Sequence, residues 1–254
     1  MRNFIKKVKR KVFPKINNRP VYILGKEKSG TTAIARLLAV YTNKSLTSDI
    51  PPIWGEPELN LFKQNESYSD FVQQNKQYFC SDIIKEPGLT FIFPQIKASF
   101  PYAKFIMIIR DPRDNIRSIF NRLGIDGTSV ELQLDKIPKD WQHVISNHCF
   151  DIEGDIIERA SKRWNMAVNI YLKNRNDFIL VRYEDFVKDK LQSIRLLSEG
   201  FGWIQHNDIS LMLNKQFQPK GNRAISWEDF FGLKNLQKIE NYCAKNMEEV
   251  GYDI

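Results

Sequence analysis

The apolar run Val21-Tyr22-Ile23-Leu24 leads directly into Gly25-Lys26-Glu27-Lys28-Ser29-Gly30-Thr31-Thr32, and then into Ala33–Val40, whose apolar residues recur at helical spacing. No other stretch constrains the fold as tightly. A strand, a glycine-bounded loop and a helix in that order aim backbone N–H groups and the positive end of a helix dipole at one point, a cradle for phosphate. The remaining strand signals fit the same plan. Ser81–Lys85 is stopped by Pro87-Gly88, Lys104–Ile109 reads as a strand buried on both faces, and Phe178–Val181 ends at Arg182-Tyr183. Helical patterns at 153–174 and 185–197 lie between or after them, and Asp111-Pro112 supplies an N-cap and a first-turn proline for a helix running to about Arg122. Strands alternating with helices predict an α/β fold in a single domain: a parallel, doubly wound sheet with a P-loop-like phosphate-binding strand-loop-helix.

Charge narrows the function classes. The chain of 254 residues carries a formal +8, but residues 1–20 hold eight of the 38 Lys and Arg and none of the 30 Asp and Glu, so the body from 21 onward is neutral. This predicts a basic arm over 1–19 and one domain over 20–254. A nucleic-acid-binding module would rest on that arm alone, and no nucleic-acid partner is expected. In the arm, Phe4, Ile5, Val8, Val12 and Phe13 fall at near-helical spacing among lysines, a pattern suited to peripheral contact with an anionic membrane or to a merely solubilising tail. No apolar run approaches membrane-spanning or signal-peptide length, which predicts a cytoplasmic location. Cys80, Cys149 and Cys243 are widely spaced and form no zinc or disulfide pattern, and no metal site is expected.

The first loop keeps the GxxxxG spacing of an NTPase loop but lacks its GK pair, since Lys28 precedes Gly30 by two positions. A nucleotide-dependent kinase with a degenerate loop is therefore the weaker reading. Lys28-Ser29-Gly30-Thr31-Thr32 instead resembles the 5′-phosphosulfate loop of sulfotransferases that use 3′-phosphoadenosine 5′-phosphosulfate (PAPS). Ile108-Ile109-Arg110-Asp111-Pro112-Arg113-Asp114 with Ser118 resembles the 3′-phosphate motif of the same family, about 80 residues on, as the family has it. The resemblance implies that PAPS is the co-substrate, that the first loop holds its 5′ end, and that Arg110 and Ser118 clasp its 3′-phosphate, where a guanidinium fork matches phosphate oxygens. Tyr183, in a Tyr-Glu-Asp segment at a strand end, resembles the adenine contact. Lys220-Gly221-Asn222-Arg223 resembles the late basic loop over the nucleotide, which assigns Lys220, Gly221 and Arg223 to cofactor binding. Residues 243–252 resemble the ending of bacterial, glycan-type members.

Sulfonate transfer needs a cation on the leaving oxygen, an in-line acceptor and a base. Lys28 is placed for the first role, and Lys85, in a Lys-x-Pro segment, resembles an active-site lysine of glycan-modifying members. Aryl and steroid members take a His base after the second strand, where this chain reads Lys85-Glu86-Pro87. Tyrosylprotein and heparan members take a Glu soon after the first helix. That implies Glu56 as the base, with Glu86 and His143 in reserve. A carboxylate in a half-apolar cleft has a raised pKa, which suits a base near neutrality. Residues 123–152 are expected to form a substrate loop. Trp54, Trp141 and His143 are candidate sugar-stacking groups for a glycan or glycolipid acceptor.

Overall fold

The computed structural model describes residues 15–145, 150, 152–217 and 225–254. Among them a five-stranded parallel sheet has the order β2-β3-β1-β4-β5, with β1 Val21–Leu24, β2 Leu46–Ser48, β3 Ile83–Lys85, β4 Lys104–Ile109 and β5 Phe178–Arg182. Each central strand is apolar on both faces because each face is covered. Val21, Ile23, Ile106 and Ile108 pack with helix α1 (Thr31–Tyr41) on one side, while Tyr22, Leu24, Phe105, Met107 and Ile109 join a larger, aromatic-rich core on the other. The expected single-domain, parallel α/β architecture is what the chain adopts.

The order reverses at β1: the chain leaves it toward β2 and β3, then crosses to β4 and β5. Open α/β sheets bind ligands at the carboxyl ends of strands beside such a switch point. Here every strand delivers a polar residue to that edge: Lys28 after β1, Asp49 after β2, Lys85 closing β3, Arg110 after β4 and Tyr183 after β5.

Three segments differ from expectation. Strand β2 is a three-residue edge strand, too short to carry a period. The single helical pattern at 185–197 is two helices, Tyr183–Lys188 and Lys190–Gly200, broken at Asp189, whose carboxylate accepts from Gln192 N at 2.9 Å and caps the second. The expected substrate loop contains a short helix, over Lys139–Ile145.

Candidate functional site

The loop after β1 is held by its neighbours rather than by its own turns alone. Gly25 has φ 141°, and a Cβ there would lie 2.3 Å from the Ile108 carbonyl oxygen, so only glycine lets β1 and β4 run side by side at this point. Helix α3 (Pro112–Leu123) grips the loop from below: Asn115 Nδ2 donates to Glu27 O at 2.7 Å and to Ser29 Oγ at 3.0 Å. Arg110 Nη1 donates to Lys28 O at 3.0 Å. These bonds stabilise Lys28 in the left-handed region, φ 65°, where a lysine is uncommon. Gly30 opens α1 at φ 94°, and a Cβ on it would lie 2.4 Å from the Tyr183 ring. The aromatic ring and the phosphate loop are therefore in direct contact.

Two cavities meet at this loop. The larger, about 500 Å³, is lined by Lys28, Gly30, Thr32, Arg110, Ser118 and Tyr183 among others, and the smaller, about 260 Å³, by Lys28, Gly30, Thr31, Thr32 and Lys85. Lys28, Gly30 and Thr32 belong to both walls. The structure thus brings six of the sequence-derived residues around one cavity, and Lys85 to the neighbouring one across the loop. Burial and the Arg122 and Arg110 charges lower the Lys28 ammonium to about 8, still protonated for the most part at neutral pH.

In the Arg-Asp-Pro-Arg segment the two arginines have opposite duties. Arg110 lines the larger cavity, with its guanidinium 4.7 Å from the Tyr183 ring centroid. Arg113 turns away and closes on Asp111 through Nε at 3.1 Å and Nη2 at 2.8 Å, also donating to Asp253 O at 2.7 Å, which pins the chain end to the start of α3. Glu184 finishes the lock. Its carboxylate accepts from Asp111 N at 3.2 Å and from the Tyr252 hydroxyl at 2.6 Å.

The smaller cavity holds the acidic groups. Glu86 lies against it, accepting from Ile50 N at 2.7 Å, Trp54 Nε1 at 3.2 Å and Gly88 N at 3.1 Å. Burial nevertheless pushes its carboxyl up to about 7. Lys85 forms an ion pair with Asp49, which also lines this cavity in a left-handed conformation, φ 76°. Trp54, Trp141 and His143 lie in the same wall. Burial lowers the His143 imidazole to about 4, so it is neutral at physiological pH. Behind it, Arg163 reaches both Glu58, at 3.0 Å, and Glu27, at 3.4 Å. One guanidinium cannot satisfy two buried carboxylates equally. Burial raises Glu58 to about 8, while the Arg163 and Lys26 charges outweigh burial at Glu27 and hold it near 2.

Two expected residues lie elsewhere or serve differently, and three fall outside the described residues. Glu56 is exposed and lines neither cavity. It opens helix α2 (Glu56–Phe62, the first α-helix after β2), in which Glu58 and Leu61 turn inward; two residues along a helix rotate a side chain by about 200°, so an inward Glu58 sends Glu56 to solvent. Ser29 is buried but lines neither cavity: its N–H donates to Lys26 O at 3.1 Å and its hydroxyl accepts from Asn115, so it holds the loop together. Lys220, Gly221 and Arg223 lie outside the described residues.

Several wall residues were not anticipated. Asp114, Arg117 and Asn121 join the expected Ser118 in an i, i+3, i+4, i+7 stripe of α3 along the larger cavity, a polar helical period the sequence does display. Lys190 and Lys215 close the far side. Glu27, Asp49, Arg122 and Asp140 in the smaller cavity carry no motif. Among the described residues, no group of three or more His, Cys, Asp and Glu is arranged to hold a metal ion, and no helix is long and apolar enough to cross a membrane.

A sequence model described as the sulfotransferase family matches residues 58–207, a segment that starts after the phosphate loop and contains Lys85, Arg110, Ser118 and Tyr183. No curated protein sequence matches significantly. Among solved structures, a sulfotransferase from Alicyclobacillus acidocaldarius superposes with a TM-score of 0.57 at 12% identity, over 94% of this chain and 98% of the other. Sulfotransferase STF9 from Mycobacterium avium does so with a TM-score of 0.57 at 14% identity, over 100% and 82%. Mouse sulfotransferase SULT7A1, complexed with PAP, gives 0.53 at 14% identity, over 93% and 88%. At such identities the likeness is one of fold.

Proposed function

The chain belongs to the sulfotransferase family, and from that premise we propose that it transfers the sulfonate of PAPS, by in-line displacement with a glutamate base, to a hydroxyl of a carbohydrate or glycolipid. One observation carries the reading: two cavities of different character share the Lys28–Gly30–Thr32 wall. Among the described residues, the larger has Lys28, Arg110, Arg117, Lys190 and Lys215 against Asp114 alone, a surplus of cations suited to a nucleotide with phosphates at both ends. The smaller offers Lys28, Lys85 and Arg122 against Glu27, Asp49, Glu86 and Asp140, and two tryptophans, which suits an uncharged polyol. The PAP bound to the mouse neighbour supports the choice of nucleotide.

The sulfonate then lies at the shared wall. Lys28 neutralises the leaving oxygen on the 5′-phosphate, where a preorganised cation stabilises charge that develops only in the transition state. Thr31 and Thr32 give hydroxyl and N–H donors at the helix start. Arg110 and Ser118 take the 3′-phosphate and Tyr183 the adenine, with Lys220, Gly221 and Arg223 covering the nucleotide as the family resemblance implies. Lys85, oriented by Asp49, faces the acceptor. No catalytic metal is invoked.

For the base, the exposed position of Glu56 favours Glu86 in its place. A carboxylate offers about four lone-pair positions. Three accept protein donors, and the fourth is available to the acceptor's hydroxyl proton; a pKa of about 7 matches that task. The basic arm, whose residues 1–14 lie outside the described ones, would hold the enzyme at an anionic lipid surface beside a lipid-linked acceptor in the cytoplasm. Calorimetry tests the nucleotide: adenosine 3′,5′-bisphosphate (PAP) binds in the presence of EDTA, whereas binding of Mg·ATP alone would return the kinase reading. Radiolabelled sulfonate transfer from PAPS onto a panel of glycans, glycolipids and phenols tests the acceptor. Labelled phenols with unlabelled glycans would overturn the carbohydrate assignment.

A further inference from the structure

Helix α3 serves both cavities, and the second is reached by one residue. Asp114, Arg117, Ser118 and Asn121 face the larger cavity; Arg122, about 40° beyond Ser118 at the edge of that stripe, lines the smaller one. Its guanidinium carbon lies 5.7 Å from the centroid of the Trp141 ring, a cation–π platform that fixes its direction. The other two arginines of these walls are both tied to an acid: Arg110 to Asp114 at 3.5 Å, and Arg117 to the same carboxylate at 2.5 Å. Among the described residues the Arg122 side chain has no ion pair or hydrogen bond, and its guanidinium lies over the Trp141 ring.

Its charge acts on Lys28. Of the two cations that depress the Lys28 ammonium, Arg122 weighs more than Arg110, although Arg110 donates to the Lys28 carbonyl. Two cations are thus brought to bear on the same part of the acceptor-side wall, an arrangement that costs Coulomb energy and is recovered when an anion sits between them. A basic residue in the last turn also complements its helix dipole. That role asks for neither an aromatic platform nor a cavity wall.

We propose that Arg122 is a catalytic residue that binds the sulfonate of PAPS from the acceptor side, the guanidinium resting on Trp141 and its fork on the sulfonate oxygens. The inference rests on the PAPS reading above. In the step it serves, the acceptor oxygen bonds to sulfur as the bond from sulfur to the bridging oxygen breaks. The electron pair of the broken bond stays on the 5′-phosphate oxygen beside Lys28, and the hydroxyl proton passes to the carboxylate base. Arg122 touches the group being transferred, present before and during the step, so its first effect is on how tightly and in what orientation PAPS is bound. Lys28 touches the leaving oxygen, whose charge grows only during the step.

That difference makes the test independent of the acceptor. Calorimetry of the full chain in EDTA is run with PAPS and with PAP, which lacks the sulfonate. Arg122→Ala is expected to weaken PAPS at least tenfold and to leave PAP within about twofold, PAP binding also reporting that the variant is folded. Arg122→Lys recovers part of the loss, since lysine keeps the charge without the planar fork. Equal weakening of both ligands, or PAPS affinity within twofold of wild type, overturns the proposal; the second result would leave Arg122 to an anionic group on the acceptor. A wild-type chain that binds neither ligand defeats the nucleotide reading itself, a different failure from either of these.

Discussion

On the β4–β5 side of β1, the larger cavity is walled by a few continuous segments: Arg110 and one helical stripe of α3, the Tyr183–Lys190 stretch, and residues 213–217. On the β2–β3 side, the smaller cavity is a mosaic of Asp49, Trp54, Lys85-Glu86-Pro87, Arg122 and a turn of helix at 140–144. The electrostatics differ in the same sense, a cationic surplus on one side and near balance on the other. A fixed ligand with phosphates at known spacing can be met by backbone N–H groups and one helix face, because both are periodic and local. The smaller cavity depends instead on side chains that only the tertiary fold assembles.

The sharpest way to break this contrast is at the seam. Lys28→Ala should lower kcat by about 10²–10³, the usual cost of removing a donor aimed at developing charge; a loss confined to nucleotide affinity would move Lys28 wholly to the β4–β5 side. Glu86→Gln comes next, with a fall of about 10² or more in kcat, as for other general bases, and unchanged PAP binding. In the wild type the rate should be lost as pH falls through about 7, because burial raises the Glu86 carboxyl to that value and only its ionised form accepts a proton. A pH profile of the same shape in Glu86→Gln would assign the base elsewhere. Arg110→Ala tests the opposite wall: PAP affinity should weaken by about 10–100-fold, the worth of charged hydrogen bonds, with acceptor KM little altered. Glu56→Gln should have the smallest effect, within about twofold on kcat, since its side chain is exposed and outside both walls. A large loss there would mean that the mosaic rearranges when acceptor binds.

Legibility in the sequence followed the same divide. Strand β4 runs over Lys104–Ile109, as its apolar run predicts, and β1 over Val21–Leu24. Both are buried on two faces, so every position but the exposed Lys104 carries the signal. Strand β2, three half-buried residues, carries none. Lys28, Arg110, Ser118 and Tyr183 were found from short motifs because each sits at a fixed offset from a strand end. Glu56 illustrates the opposite case. A Glu-Pro-Glu sequence at a helix start does not say which acid faces in, and the answer came from Arg163, over a hundred residues away, drawing Glu58 into the core.

By itself, then, the sequence determined a parallel α/β domain with a glycine-bounded strand-loop-helix at its first strand, and an arginine at the end of β4 that lines the larger cavity. Those features depend on residue periodicity, on glycine at loop positions and on a helix dipole, all of which act within a few residues. Only the tertiary structure decided that one loop would wall two cavities, that Glu86 and Arg122 would face the second, and that Glu56 would not. Burial and charge pairing between distant segments set those outcomes, and neither has a local signature.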